Sequence, residues 1–244
     1  MVTETKTYQT NVVRPQPIVI PPTELIVPHL NGTARFAHPS QGPNAYRAVG
    51  KAILEAKQLV PTGNYTASLL AGTYLGTNKD EPEFQKVREI MRNRLLWVFN
   101  INYWIPEGVY VAQDLEALGR NQPLSVSDLE KALQGGKDFS GIRFSQDGRT
   151  SFAPKGSYKL GEHTPESLAK DGFVVASYGV EGAEKLGEVA GTFKNNPRTF
   201  GLEVAEGQAP ELRVSAVDDF DGRLDVDGNN WYDYVGSRAF GVLK

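Results

Sequence analysis

The densest run of large apolar side chains in the chain lies at residues 80–111. In its first part, apolar residues recur at spacings of three and four, which is the period of an amphipathic helix. Asp80 is followed three residues later by Glu83, with Pro82 between them, as in an N-terminal capping box. The pattern therefore predicts a long helix that begins near Asp80.

The second part of this run is apolar on nearly every side. Residues 95–99 carry leucine, tryptophan, valine and phenylalanine side chains in succession. This predicts that the helix continues to residue 99, with its end buried on several sides. Pro106 and Gly108 then indicate a turn, and residues 109–111 have the β-branched and aromatic character of a strand.

Helical patterns also dominate the rest of the first half. Residues 46–60 follow a helical stripe, the proline and glycine at positions 61 and 63 end it, and residues 66–75 predict a second helix. Ser125 offers an N-cap for a helix that ends before the two glycines at 135 and 136.

The pattern of the second half mainly predicts short strands. Residues 142–144 and 149–152 flank Asp147-Gly148, which is typical of a hairpin with a type I′ turn. Residues 173–178 predict a buried strand and residues 182–190 a helix, so Gly179-x-x-Gly182 is interpreted as a tight strand-to-helix turn, not a phosphate-binding loop. Further strands are predicted at residues 200–204, 212–217, 231–235 and 239–243.

The N-terminal 33 residues form a segment of their own. They combine repeated prolines, which enforce extended backbone, with apolar residues. The sequence therefore predicts an extended proline-rich arm at residues 1–33 that docks on its own body or, as a homo-oligomer contact, on a neighbouring subunit. The arm precedes a single body at residues 34–244, with a sub-boundary near residues 135–141. The predicted class is α+β, with a helix-rich N-terminal half packed on a mostly antiparallel, β-rich C-terminal half.

Composition narrows the function classes. The formal net charge of −3 disfavours nucleic acid as a partner. Without cysteine there is no disulfide, thiolate nucleophile or cysteine-ligated metal. No apolar run has the roughly 20 residues that a bilayer requires, so we expect no membrane association and a soluble, cytoplasmic protein. No cofactor is predicted.

The first candidate site is a loop before a predicted short helix. An anion at a helix N-terminus would meet free N–H groups and the positive end of the helix dipole, with lysine and histidine side chains beside it. The alternative is a solvated loop in which threonine caps the helix. The residues of this candidate ligand site are Lys155, Ser157, Lys159, His163 and Thr164.

The second candidate site lies in the acidic, aromatic C-terminal region. Asp225, Asp227 and Asn229 place oxygen ligands at alternate positions, an arrangement suited to calcium. The EF-hand pattern is not met. Aspartate and asparagine beside aromatic residues also suit a sugar-binding surface, whereas acidic β-turns explain most of these residues without any ligand.

No catalytic residue is predicted. His29, His38 and His163 are far apart and match no metalloprotease pattern, and there is no nucleophile-elbow motif. A Ser-His-Asp triad stays open, because geometry and not sequence order defines it. The leading hypothesis is therefore a non-catalytic assembly or binding protein. The alternative is a small-molecule binding protein or enzyme that uses the loop at residues 155–164.

Overall fold

The computed structural model describes residues 23–121 and 124–244. They form a mixed α+β fold around a large sheet. The helices are α1 (Tyr46–Glu55), α2 (Gly63–Leu75), α3 (Pro82–Asn93), α4 (Val126–Leu133), α5 (Pro165–Leu168) and α6 (Gly172–Ala190). The strands are β1 (Thr23–His29), β2 (Gly32–His38), β3 (Gln41–Asn44), β4 (Leu96–Ile105), β5 (Gly108–Gln113), β6 (Lys137–Phe139), β7 (Ile142–Phe144), β8 (Thr150–Pro154), β9 (Gly161–Glu162), β10 (Arg198–Phe200), β11 (Glu211–Phe220), β12 (Arg223–Asn230) and β13 (Ser237–Ala239).

The large sheet runs in the order β6-β7-β8-β5-β4-β11-β12-β10-β9, with β13 and β3 attached beside β4. β10 and β12 pair in parallel, as do β13 and β4, and the other pairs are antiparallel. β1 and β2 form a separate hairpin. Strands β4 and β5, from the first half of the chain, are thus central.

Both faces of the sheet are covered. Along β4, Trp97 and Phe99 pack with α1 residues on one face, whereas Leu96 and Val98 belong to the core shared with α2, α3 and α6 on the other. On the α1 side, β5 and β8 also pack against α4. Each large apolar side chain that is fully buried in these layers contributes about 1.5–3 kcal/mol to the stability of the fold.

The predicted continuation of the helix to residue 99 is wrong. α3 ends at Asn93, Arg94 is extended (φ −153°, ψ 162°), and the apolar run is strand β4. A strand buried on both faces reads as a continuous apolar run, which periodicity alone does not distinguish from a buried helix. The capping box is also absent, since the N-cap is Glu81 and makes no side-chain cap bond. The strand predicted at residues 109–111 is confirmed as β5.

The strand predicted at residues 173–178 is wrong for a related reason. These residues form the first half of α6, which is buried nearly all round and begins where Asp171 accepts hydrogen bonds from the N–H groups of Phe173 and Val174. Gly179 (φ 73°, ψ 167°) then interrupts the helix. The Gly179-x-x-Gly182 segment is therefore an interruption within a helix, not a strand-to-helix turn.

Two predictions about turns also change. The hairpin of β7 and β8 is confirmed, but at its turn Gly148 has a positive φ and Asp147 does not, so no type I′ turn forms. The acidic residues 225–229, interpreted as turns, lie within β12, and residues 231–235, predicted as a strand, lie outside the strands. Leu224 and Val226 of β12 are fully buried, which offsets the weak strand propensity of aspartate and asparagine.

The helix-rich first half is not observed, because β1–β5 precede residue 114 and the longest helix, α6, lies in the second half. Of the predicted arm, residues 1–22 lie outside the described residues. Residues 23–29 form β1, whose Leu25 and Val27 are buried in the core. None of the helices in the described ranges combines the length and apolar character needed to cross a membrane.

Candidate functional site

A cleft of about 640 Å³ opens where helix α6 is interrupted. Its floor is formed by β4, β5 and β8 together with the residues around Gly179, and its mouth by the turns of two hairpins, β1–β2 and β6–β7. Its lining residues include Leu30, Asn64, Asn100, Val111, Phe139, Phe144, Ser151, Ser177, Gly179 and Val180.

The interruption of α6 leaves carbonyl groups that the helix does not use, and the sheet supplies their partners. Ser151 Oγ donates to the carbonyl oxygen of Ala176 over 2.7 Å, and Asn100 Nδ2 donates to that of Ser177 over 2.8 Å. Carbonyl groups near a helix end need such partners when they are buried. Two sheet side chains thus stabilise the break at Gly179.

Helix α2 begins against the same point. A Cβ at Gly63 would lie 1.9 Å from the carbonyl oxygen of Ser177, so only glycine permits this approach. The contact brings Asn64 beside the break, with its Nδ2 3.9 Å from the ideal Cβ position of Gly179. Asn64, Asn100 and Ser177 therefore meet at the floor of the cleft from three different elements.

Each of these three side chains keeps one buried polar atom without a hydrogen-bond partner among the described residues. The atoms are Asn64 Oδ1, Asn100 Oδ1 and Ser177 Oγ. The hydroxyl of Tyr178, another lining residue, also lacks a partner among the described residues. Asn100 is 0% exposed, and because its Nδ2 faces a carbonyl oxygen, its amide orientation is fixed with Oδ1 as a free acceptor. A buried polar atom without a partner costs about 1–3 kcal/mol, so three in one place need a reason.

The walls and mouth of the cleft are largely apolar. Leu30, at the turn between β1 and β2, is 56% exposed, and Phe139, at the turn between β6 and β7, is 46% exposed. Val111 and Phe144 line the walls between the floor and the mouth. Exposed apolar side chains gathered around a concave surface are typical of a binding site.

The hairpin turn that carries Leu30 is fixed to the helices beneath it. His29 stacks on Tyr65 with ring centroids 4.4 Å apart, and its Nδ1 lies 3.0 Å from Ser68 Oγ. Lys185 Nζ donates to Ser68 Oγ and to Glu181 Oε1. Burial, and then the charge of Lys185, lower the pKa of His29. The neutral form of the His29 imidazole is therefore favoured when it makes these contacts.

The charged side chains of the cleft lie on the loops at its rim. Lys137 and Asp138 belong to β6, and Asp147 and Arg149 flank Gly148. Asp147 accepts hydrogen bonds from Ser145 Oγ and the Arg149 N–H, and these bonds lower its pKa. Among the described lining residues, the floor carries no carboxylate, ammonium or guanidinium group.

The loop at residues 155–164 lies elsewhere. Lys155 and Lys159 line a separate cavity of about 330 Å³. Ser157 Oγ donates to the carbonyl oxygen of Pro154, and Thr164 caps α5 by accepting from the Ser167 N–H. The loop's hydroxyl groups thus serve its own backbone. Ligand binding by this loop stays a prediction.

The histidine of that loop is buried in a polar cluster. His163 Nε2 lies 2.8 Å from the carbonyl oxygen of Lys159, and its Nδ1 lies 3.3 Å from Ser167 Oγ. Asp171 Oδ2 is 3.9 Å from Nε2, too long for a hydrogen bond, and Asp171 accepts instead from three backbone N–H groups. Ser167, His163 and Asp171 are therefore neighbours. Ser167 and Asp171 cap α5 and α6, and His163 Nε2 contacts the Lys159 carbonyl oxygen and Thr199 Oγ1, so we assign them no catalytic role.

The candidate calcium ligands are held by protein partners. Asp225 Oδ2 pairs with Arg198 Nη2 at 2.9 Å, Asp227 Oδ1 accepts from the Asn229 N–H at 2.7 Å, and Asn229 Oδ1 accepts from Arg213 Nε at 3.1 Å. In the described ranges, no group of three or more His, Cys, Asp or Glu side chains is placed to hold a metal ion. The calcium site stays a prediction.

The residues of the cleft floor were not among the candidates from sequence. The available signals were Asn100 inside a strongly apolar run and Gly179 after the apolar residues 173–178. A polar residue inside a core element and a glycine inside a helix each require a structural or functional reason. Neither signal shows that the two residues meet.

Comparisons with known proteins add little. No protein-family model matches the chain, and no curated protein matches it. The chain is similar to one solved structure, described as "Accommodation of massive sequence variation in Nanoarchaeota by the C-type lectin fold". The alignment covers 82% of this chain and 93% of the other, with 12% identity and a TM-score of 0.43. A similarity of this size assigns neither a fold nor a function to the chain.

Proposed function

We propose that this chain is a non-catalytic binding protein that takes a small molecule into the cleft at the interruption of α6. The observation that carries the proposal is the set of three buried polar atoms without partners, Asn64 Oδ1, Asn100 Oδ1 and Ser177 Oγ, at the floor of one cleft. A ligand that bonds to them offsets their cost of burial.

The form of the cleft supports the same role. Its volume of about 640 Å³ lies within the range of about 300–1,000 Å³ that small-molecule sites occupy. Apolar walls with a few convergent polar groups supply affinity and orientation, respectively. Because the described floor residues include no side chain suited to act as a general base, the proposal contains no reaction step.

A fluorine-detected fragment screen on the full chain tests this function. Val180, which is partly buried and lines the cleft, is changed to tryptophan to fill it. Val126, which lines a different cavity beneath α4, is changed to tryptophan as the matched control. We expect fragments that bind wild type and V126W but not V180W. If no fragment binds, or if V180W retains the bound set, the cleft is not the site.

The binding role of the N-terminal arm belongs to the same proposal. Residues 23–29 pair with β2, and both Leu25 and Val27 are 1% exposed, which supports docking of this part on its own body. The prediction is a monomer by size-exclusion chromatography with light scattering, for the full chain and for a chain that begins at Thr23. A dimer that is lost on deletion of residues 1–22 would instead support exchange of the arm between subunits.

A further inference from the structure

The cleft floor specifies more than the presence of a ligand, because its three free groups differ in hydrogen-bond character. Asn100 Oδ1 is an acceptor whose orientation is fixed by the bond from Nδ2 to Ser177. Its partner must therefore be an N–H or O–H donor on the ligand. Ser177 Oγ can donate or accept.

Asn64 adds a complete carboxamide to this set. Its Oδ1 is buried without a partner in the described part of the chain, and no hydrogen bond from its Nδ2 to a described residue is present. An amide offers both acceptor and donor atoms. A ligand group that meets Asn64 and Asn100 together therefore needs donors and an acceptor in one small unit.

Charge decides between the groups that satisfy this requirement. The described floor residues carry no carboxylate to balance a ligand cation and no ammonium or guanidinium group to balance a ligand anion. Burying an unbalanced charge costs far more than burying a neutral group that finds its hydrogen bonds. An ammonium and an amidinium are disfavoured on this ground. A carboxylate is disfavoured as well, because the positive end of the α2 dipole beside Asn64 offers only about 0.3–1 kcal/mol against the larger cost of burying an unpaired charge.

We infer that the cleft recognises an uncharged primary carboxamide on a flat apolar body. The amide N–H₂ donates to Asn100 Oδ1 and Asn64 Oδ1, and the amide oxygen accepts from Ser177 Oγ. The apolar body contacts Val111 and Phe144 on the walls, and Leu30 and Phe139 cover its outer end. This inference rests on the proposed function and names the ligand class of the same site.

Three matched compounds separate the contributions of donor and charge. Benzamide has the carboxamide and an aromatic ring, N,N-dimethylbenzamide lacks the N–H donors, and benzoate replaces the amide with an anion of nearly the same shape. Ligand-observed NMR on the full chain measures all three. We expect benzamide to bind with a Kd on the order of 1 mM, as for a fragment of its size, and about tenfold more tightly than either analogue.

An Asn64→Asp variant tests the role of charge. Asn64 lies in the first turn of α2, which carries no acidic residue, so a carboxylate there is compatible with the helix dipole. The new charge should reverse the preference from benzamide to the cation benzamidine. Exposed Asn78→Asp adds the same charge away from the cleft and should leave the preference unchanged. Ser177→Ala should weaken benzamide about three- to tenfold.

The outcomes separate this inference from the proposed function. If benzoate or N,N-dimethylbenzamide binds in the cleft as tightly as benzamide, or if N64D does not prefer benzamidine, the carboxamide assignment is overturned while the binding site stands. If benzamide does not bind, but other fragments bind the wild-type chain and not V180W, the carboxamide assignment fails and the binding site stands. If no compound or fragment binds the wild-type chain, the proposed function fails with it.

Discussion

The side-chain amide of Asn100 donates to the carbonyl oxygen of Ser177 over 2.8 Å. This bond joins the central strand β4 to α6 two residues before the helix breaks at Gly179. The same bond fixes the other atom of the amide, Oδ1, as a free acceptor at the floor of the cleft. One buried residue therefore stabilises the break and supplies the cleft with its best-defined polar group.

Replacing Asn100 with alanine should destabilise the fold. The substitution leaves the buried carbonyl of Ser177 without its donor and creates a cavity. These losses should exceed the relief from removing the unpartnered Oδ1, so we expect a net cost of about 1 kcal/mol. Urea unfolding measures the change. Asn78, which is exposed, is the control, and N78A should change the free energy of unfolding by less than about 0.5 kcal/mol. Equal effects of the two substitutions would contradict the role given to Asn100.

Gly179 should tolerate no side chain. Its φ of 73° with ψ of 167° is a conformation that L-residues rarely adopt, so Gly179→Ala should cost about 1–3 kcal/mol. No heavy atom lies nearer than 4.0 Å to the ideal Cβ of Gly32, and its φ is not positive, so Gly32→Ala should be nearly neutral. Thermal unfolding of both variants measures the difference. An unchanged melting temperature for G179A would show that the backbone conformation at position 179 does not require glycine.

Whether an element can be predicted from the sequence depends on whether local or distant residues determine it. The stripe of α1, the cap at Ser125 and the β7–β8 hairpin were predictable, because each is encoded within a few neighbouring residues. The sequence pattern predicts a helix where strand β4 begins and a strand where the first half of α6 lies. Both are apolar on every side, and burial among other elements, not local periodicity, decides their conformation.

The candidate site depends even more on distant contacts. Asn64, Asn100 and Ser177 come from α2, β4 and α6, and nothing in their spacing indicates that they meet. The loop at residues 155–164 gathers several polar residues within ten positions, yet its hydroxyl groups bond to nearby backbone. Local density of polar residues therefore did not indicate the cleft floor, although Asp225 Oδ1 in the acidic region also lacks a partner among the described residues.

The contribution of Asp218 to stability should fall as pH rises toward neutrality. Burial, and then the nearby charges of Asp225 and Asp227, raise the pKa of Asp218 to about 7. Because the folded state holds this proton more tightly than the unfolded state, stability is lost between about pH 4 and pH 7.

Asp218→Asn should therefore raise stability above pH 7, by about 1–2 kcal/mol, and flatten the dependence between pH 4 and pH 7. Chemical unfolding at several pH values measures this. Asp233→Asn, at an exposed position, is the control and should leave the curve unchanged. A D218N curve parallel to the wild-type curve would contradict the raised pKa.

Glu130 should act in the opposite direction. It accepts two hydrogen bonds from Arg143, at 2.9 and 2.7 Å, and one from Tyr110, which hold α4 on the sheet. Arg143, and then Tyr110, lower the pKa of Glu130 to about 2. Its contribution is present above about pH 4.5 and is lost as pH falls toward 2.

Glu130→Gln should therefore cost about 1 kcal/mol near pH 7, a modest value because the pair is partly exposed. The difference between wild type and variant should shrink as pH falls from about 4.5 to about 2. Unfolding curves of the two proteins across that range measure it. A difference that does not change with pH would show that the ionised carboxylate is not the stabilising form.

The side chains at the break in α6 should bind a primary carboxamide in the cleft. Heteronuclear NMR of the ¹⁵N-labelled full chain during a benzamide titration tests it directly, since asparagine side-chain N–H₂ groups give their own signals. We expect the side-chain signals of Asn64 and Asn100 and the backbone signals around Gly179 to shift together and saturably. Saturable shifts confined to another surface, or no shift at the Asn64 and Asn100 amides, would contradict it.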